Sequence, residues 1–169
     1  MLRESVVDHE PDYLPDEWLV ELGKVVKAWS TFERMFDLML QKLAGYNDPI
    51  DPTFTILTFH SSFPQRLDMF SSLCAAHQET EKHLKNYKAI VAQVREAQGL
   101  RNIFMHQLIG PGESGEMRIS KMSARGQLRM EVRPIELSEI SEAHKKIFEA
   151  GRAVYKLVLN TAPWEGPPT

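Results

Sequence analysis

DEWLVELGKVVKAWSTFERMFDLMLQKLAG, residues Asp16 to Gly45, decides the fold class. Trp18, Leu22, Val25, Val26, Trp29, Phe32, Phe36, Leu40 and Leu43 recur at steps of three and four, the spacing that gathers side chains on one face of a helix. Asp16 is a helix-capping residue type and Gly45 a stopping one, so the stretch predicts one long amphipathic helix between them. An apolar face of that length needs other elements to cover it. Trp18, Trp29, Phe32 and Phe36 supply more aromatic surface than one face of a small bundle needs to bury, and a dimer interface would absorb the excess.

On its N-terminal side, residues 1–15 carry prolines and charges without apolar period and read as an arm. Downstream, residues 45–53 form a loop, and Phe54 to Phe59 is either the first turn of a helix or an irregular lead-in. Phe63, Leu67, Phe70, Leu73 and Cys74 predict a second helix over about 62–77, with Pro64 tolerated in its first turn. A third helix begins after Glu79 and Thr80 and carries Leu84, Tyr87, Ile90, Val91, Val94, Ala97, Leu100, Ile103 and Phe104, with or without Leu108, before Gly110-Pro111-Gly112 stops it. Met117 to Met122 and Gln127 to Val132 alternate apolar and polar around Ser-Ala-Arg-Gly, which reads as a β-hairpin over about 116–133. From Ser138 a fourth helix runs through Ile140, Ala143, Ile147, Ala150, Val154, Leu157 and Val158, and residues 161–169 are a Gly/Pro-rich tail. The expected architecture is all-α: one domain over 16–160, an antiparallel four-helix bundle with a β-hairpin inserted before the last helix.

Composition narrows the function. The chain has 169 residues, 43% hydrophobic and 25% charged, which suits a single globular domain. Lys plus Arg number 20 against 23 Asp plus Glu, a formal net charge of -3, so no global cationic field draws in nucleic acid and any such contact must be local. Cys74 is the single cysteine, which excludes an intramolecular disulfide and suits a reducing cytoplasm. No Cys/His cluster has zinc spacing, the first residues lack the apolar run of a secretory signal, and no stretch is apolar enough to span a membrane. Nucleophile elbows, Gly-rich phosphate loops, dinucleotide fingerprints and paired carboxylates are missing, which removes hydrolase, kinase and oxidoreductase readings.

One short stretch carries chemistry: Leu100-Arg101-Asn102-Ile103-Phe104-Met105-His106, at the C-terminal end of the third helix. On a helix Asn102 and His106 share a face, while Arg101 is displaced by about 140° from His106. One helix is therefore not expected to bring Arg101 and His106 together, whereas two crossing near a two-fold axis would place each Arg beside the other's His. The segment resembles the Arg-polar-x3-His motif of the HEPN superfamily, with Arg101, Asn102 and His106 matching position for position and Gln107 standing where a small residue is usual. The resemblance implies a four-helix bundle, a homodimer, and a metal-independent endoribonuclease needing no cofactor, of the kind found in toxin-antitoxin and phage-defence systems. It also implies an inhibitory protein partner, such as a nucleotidyltransferase-like antitoxin. In that reading His106 is the general acid or base, Arg101 stabilises transition-state charge, and Asn102 orients the phosphate or the His.

Other uses of these residues stand beside that one. Arg101 could be the ion-pair partner of Glu33, which lies among apolar residues of the first helix, and His106 could cap carbonyls at the helix end. The chain would then be a non-catalytic helical interaction module, binding a partner through its aromatic first helix. Arg118, Lys121, Arg125, Arg129 and Arg133 make a local basic surface on the hairpin, either an RNA-backbone track or a solvated face. His77 and His83, six apart across a turn, lack the helical spacing of metal ligands, and His144 with Lys145 and Lys146 reads as a solvated face.

Overall fold

In a computed structural model describing residues 14–48, 52–123, 127 and 129–160, the first helix, α1, spans Asp16–Leu43. Asp16 is its first residue rather than its cap, since the Trp18 amide donates to the Pro15 carbonyl at 2.9 Å. At its other end Tyr46 N–H reaches the Gln41 carbonyl (3.1 Å) and Gly45 N–H the Lys42 carbonyl (3.0 Å). This double closure needs a left-handed residue, and Gly45 supplies it at φ 88°. The expected stop at Gly45 is therefore met. The arm up to residue 13, the hairpin tip 124–126 with Arg125, and the tail 161–169 lie outside the described residues.

Residues Pro52–Thr58 form a short helix, α2, which settles the open reading of the Phe54 stretch. The next helix, α3 (Phe63–His77), starts where Ser62 and Gln65 bond each other, the Ser62 amide donating to Gln65 Oε1 at 2.7 Å. The expected third helix is divided. Lys82–Asn86 is a 3-10 turn, and α4 proper is Tyr87–His106. It ends at His106 rather than Leu108, because Gln107 turns to extended geometry (φ -102°, ψ 147°). The last helix, α5 (Leu137–Leu159), begins at Leu137 after Glu136, slightly ahead of Ser138. The described residues thus hold five α-helices rather than four.

Between α4 and α5 lie β1 (Leu108–Pro111), β2 (Met117–Ser123) and β3 (Arg129–Pro134), an antiparallel sheet in the order β1-β2-β3. The expected two-stranded hairpin is β2–β3, and β1 is a third strand built from residues read as a helix stop. Leu108 pairs with Ser120 and Ile109 with Ile119, while Ser120 faces Val132 and Ile119 faces Arg133. Directly opposed residues share a face, so Ile109 and Ile119, both buried, mark the side turned to the helices. Leu108, Met122, Met130 and Val132 lie on the opposite side, exposed by 64, 69, 65 and 45%.

The core is the space enclosed by α1, α3, α4 and α5, with α5 lying against both α1 and α4. At Gly151 α5 packs tightly against α1: a Cβ there would sit 3.3 Å from the Phe32 ring. Trp18, Trp29, Phe32 and Phe36 are all buried within the chain. Phe63 packs at ring distances of 4.8 Å from Trp29 and 5.1 Å from Phe36, and Phe70 at 5.2 Å from Phe36. Phe63 and Phe70 of α3 thus cover Trp29, Phe32 and Phe36. No described helix is long and apolar enough to cross a membrane.

Candidate functional site

The motif occupies the last turns of α4. Phe104 and Ala97 point into the core, Arg101 is half-buried, and Asn102 and His106 are exposed. Arg101 Nη1 donates to Asn102 Oδ1 at 3.1 Å and stands 2.8 Å from His106 Nε2. A guanidinium offers only donors, so His106 Nε2 is the acceptor and the ring proton resides on Nδ1. Three polar groups therefore converge at one exposed helix end. Beneath them lies the buried Trp29, with the Arg101 guanidinium carbon 5.8 Å from its ring centre.

This convergence within one chain corrects the expectation drawn from the helical wheel. A separation of about 140° describes where Cβ atoms start, and the long Arg101 side chain spans it. The contact lies in the last turn, since α4 ends at His106.

Glu33 does not serve Arg101. It is paired with Arg66 of α3, which also binds Asp37 one turn along α1. The Arg66 side chain is 13% exposed, lies 5.6 Å from the Phe63 ring, and keeps its Nε buried without a partner. Burial raises the Asp37 pKa above the ordinary carboxylate value and outweighs the opposing pull of Arg66. A cavity of about 310 Å³ opens beside this triad, lined also by Thr55, Thr58 and Phe59. Sequence reading missed Arg66. The signal was there in Glu33 and Asp37, two carboxylates four residues apart beside an apolar face, which together require a cation.

The hairpin cations are divided between faces. Lys121, Arg129 and Arg133 lie on the side of Ile119, and Arg118 lies on the other. Arg118 Nε bonds Glu116 Oε1 at 2.6 Å. Ser114 first, with the Glu116 backbone and Arg118, holds that carboxylate down at about 2. Arg133 forks onto Glu139 at 2.8 and 3.1 Å, lowering the Glu139 pKa against a smaller opposing burial. Arg129 has no ion pair among the described residues. Arg125 falls outside them, so the described cations do not form one continuous track.

His83 and the neighbours of His144 have local ionic partners. His83 Nδ1 is 3.5 Å from Glu81, and no group of three His, Cys, Asp or Glu able to hold a metal occurs among the described residues. Beside His144, Lys145 and Lys146 pair with Glu142 and Glu96. Comparison of the chain with protein-family models, curated proteins and solved structures returns no match.

Proposed function

We propose that the chain is a homodimeric, metal-independent endoribonuclease of HEPN type, in which α1, α3, α4 and α5 make the four-helix bundle and α2 and the sheet are additions. The observation that carries this reading is the exposed cluster of Arg101, Asn102 and His106, with Arg101 Nη1 2.8 Å from His106 Nε2. A base and a guanidinium at that spacing can address adjacent oxygens of one phosphodiester.

The chemistry follows from the two groups. An RNA phosphate draws Arg101 off His106, freeing Nε2 to take the proton of the ribose 2'-hydroxyl. The 2'-oxygen then attacks phosphorus, Arg101 stabilises charge on the equatorial oxygens, and the 5'-oxygen leaves with a proton taken from water, while the proton on His106 Nε2 returns to solvent. The products are a 2',3'-cyclic phosphate end and a 5'-hydroxyl end. Asn102 holds Arg101 in line through its side-chain oxygen. An enzyme of this kind needs restraint inside its own cell, so an inhibitory protein partner belongs to the reading.

A second reading, a non-catalytic interaction module, is favoured by one observation: Ile56, Leu57 and Phe59, on and just after α2, are all largely exposed. Incubating the protein and its His106→Ala variant with total RNA in EDTA separates the two. Cleavage by wild type alone supports the ribonuclease. Silence from both, with partner capture insensitive to salt, supports the module.

A further inference from the structure

Glu33 and Asp37, one turn apart on α1, are set side by side by the two arms of one guanidinium. Arg66 Nη2 holds Glu33 Oε1, and Nη1 holds Asp37 Oδ1. Each carboxylate keeps its other oxygen, Glu33 Oε2 and Asp37 Oδ2, without a hydrogen bond or ion pair among the described residues, and each side chain stays partly exposed. Two acceptors are therefore free at the wall of the 310 Å³ cavity, a volume at the small end of ligand pockets, which run from roughly 300 to 1,000 Å³.

The rest of the cavity completes a pattern. Arg34, exposed and next to Glu33 in the chain, has no hydrogen bond or ion pair among the described residues, so its guanidinium is a free donor at the rim. Phe59, just past α2, lines the same space while 75% exposed, which leaves a ring face open to a flat partner. Two carboxylates and two guanidiniums are the only charged groups lining it, so the cavity has no net charge and favours a neutral ligand over an ion.

We propose that this cavity binds a guanine base, with Glu33 and Asp37 accepting its N1–H and 2-amino protons, Arg34 donating to O6 and N7, and Phe59 stacking on its face. The inference goes beyond the ribonuclease reading, since the cavity takes no part in breaking the phosphodiester bond.

Hydrogen-bond chemistry selects among the bases. Guanine carries two neighbouring donors on one edge and two neighbouring acceptors, O6 and N7, on another, and the acceptor pair is a standard match for a guanidinium. Adenine would set its ring N1 against a carboxylate, acceptor against acceptor. Cytosine has the same conflict at its ring N3, and uracil offers one N–H between two carbonyls. A free amino acid also carries both donors and acceptors, but it has no flat face to lay on Phe59.

The base can come from a free nucleotide or from RNA held at the motif. Arg101 lies 5.8 Å from the Trp29 ring, Trp29 4.8 Å from Phe63, and Phe63 5.6 Å from the Arg66 guanidinium. A short run of nucleotides covers that path.

Calorimetric titration of the full chain with nucleosides, which have no phosphate for Arg101 to hold, reads the cavity by itself. Guanosine is expected to bind. Inosine, which lacks the 2-amino group, and 7-deazaguanosine, which lacks N7, are each expected to bind about tenfold more weakly, and adenosine more weakly still. Glu33→Gln is expected to weaken guanosine by a similar factor. Arg34→Ala and Phe59→Ala alter exposed side chains and are expected to do the same in a folded protein, so they decide the matter if Glu33→Gln fails to fold. A second arm uses 2'-O-methyl oligonucleotides, which cannot be cleaved, carrying a guanine or an adenine in its place. A guanine preference found only in the oligonucleotides assigns the base to RNA, and one found with nucleosides assigns it to a free nucleotide. No preference for guanine in either form overturns the proposal, as does a preference that survives both Arg34→Ala and Phe59→Ala. Cleavage of total RNA by the same preparations reports separately on the catalytic reading.

Discussion

The Arg101 guanidinium rests 5.8 Å from the ring centre of Trp29, so the exposed polar cluster is supported by a residue of the aromatic core. Trp29→Phe keeps an aromatic ring in the core but weakens the attraction for a cation. Cleavage is expected to fall about tenfold with the melting temperature only slightly lowered. Unchanged cleavage in a folded Trp29→Phe protein would show that Asn102 and His106 alone position Arg101.

Arg101→Lys tests the fork itself. Lysine keeps the charge but is a compact, rotating donor that cannot hold Asn102 Oδ1, His106 Nε2 and a phosphate in fixed geometry. The expected loss of cleavage is about 100-fold or more, with circular dichroism unchanged. Near wild-type rates would reduce Arg101 to a simple counter-charge.

Arg66→Met leaves Glu33 and Asp37 side by side without their shared cation. Both carboxylates are 33% exposed, so the loss is expected at about 2 kcal/mol in urea unfolding, below that for a fully buried pair. RNA cleavage per folded molecule is expected to stay unchanged, because this cluster is separate from the motif. A variant as stable as wild type would mean that water already carries those charges.

Asp37 and Glu139 move stability in opposite directions with pH. The Asp37 pKa is raised by burial, so its contribution is fully present below its ordinary value of 3.8 and is lost as pH rises through the folded value. Glu139 is lowered, chiefly by the Arg133 hydrogen bonds, so its contribution is present above 4.5 and is lost as pH falls through its folded value. Asp37→Asn is therefore expected to remove a decline in stability on the alkaline side of pH 4, and Glu139→Gln a decline on the acid side. Thermal melts across pH 3 to 7 read both, and identical profiles for all three proteins would rule the assignments out.

Gly151→Val places a branched side chain where a Cβ already meets the Phe32 ring at 3.3 Å. The expected cost is about 1–3 kcal/mol from forcing α5 off α1, seen as a lower urea midpoint. A more stable Gly151→Val would show that Phe32 gives way freely.

Helices α1 and α5 were legible because their apolar residues keep helical period over many turns, and each bound came within two residues of expectation. β1 was not. Leu108-Ile109-Gly110-Pro111 is short and ends in two helix breakers, and only its register against Met117–Ser120, a nonlocal fact, makes it a strand. At the site, the residues Arg101, Asn102 and His106 could be read from their pattern, but their contact could not, since it depends on where the helix ends and how far a side chain reaches. Glu33 was misassigned for the same kind of reason. Its partner Arg66 lies 33 positions away on another helix, where chain spacing offers no guide.

One carboxylate joins the sheet to the last helix. Glu139 Oε1 accepts from the Glu136 amide at 3.1 Å, at the start of α5, while both its oxygens hold Arg133 of β3. Strand and helix therefore meet on one side chain, and it acts beside the buried Ile109, Ile119 and Ile135, which seat the sheet in the core.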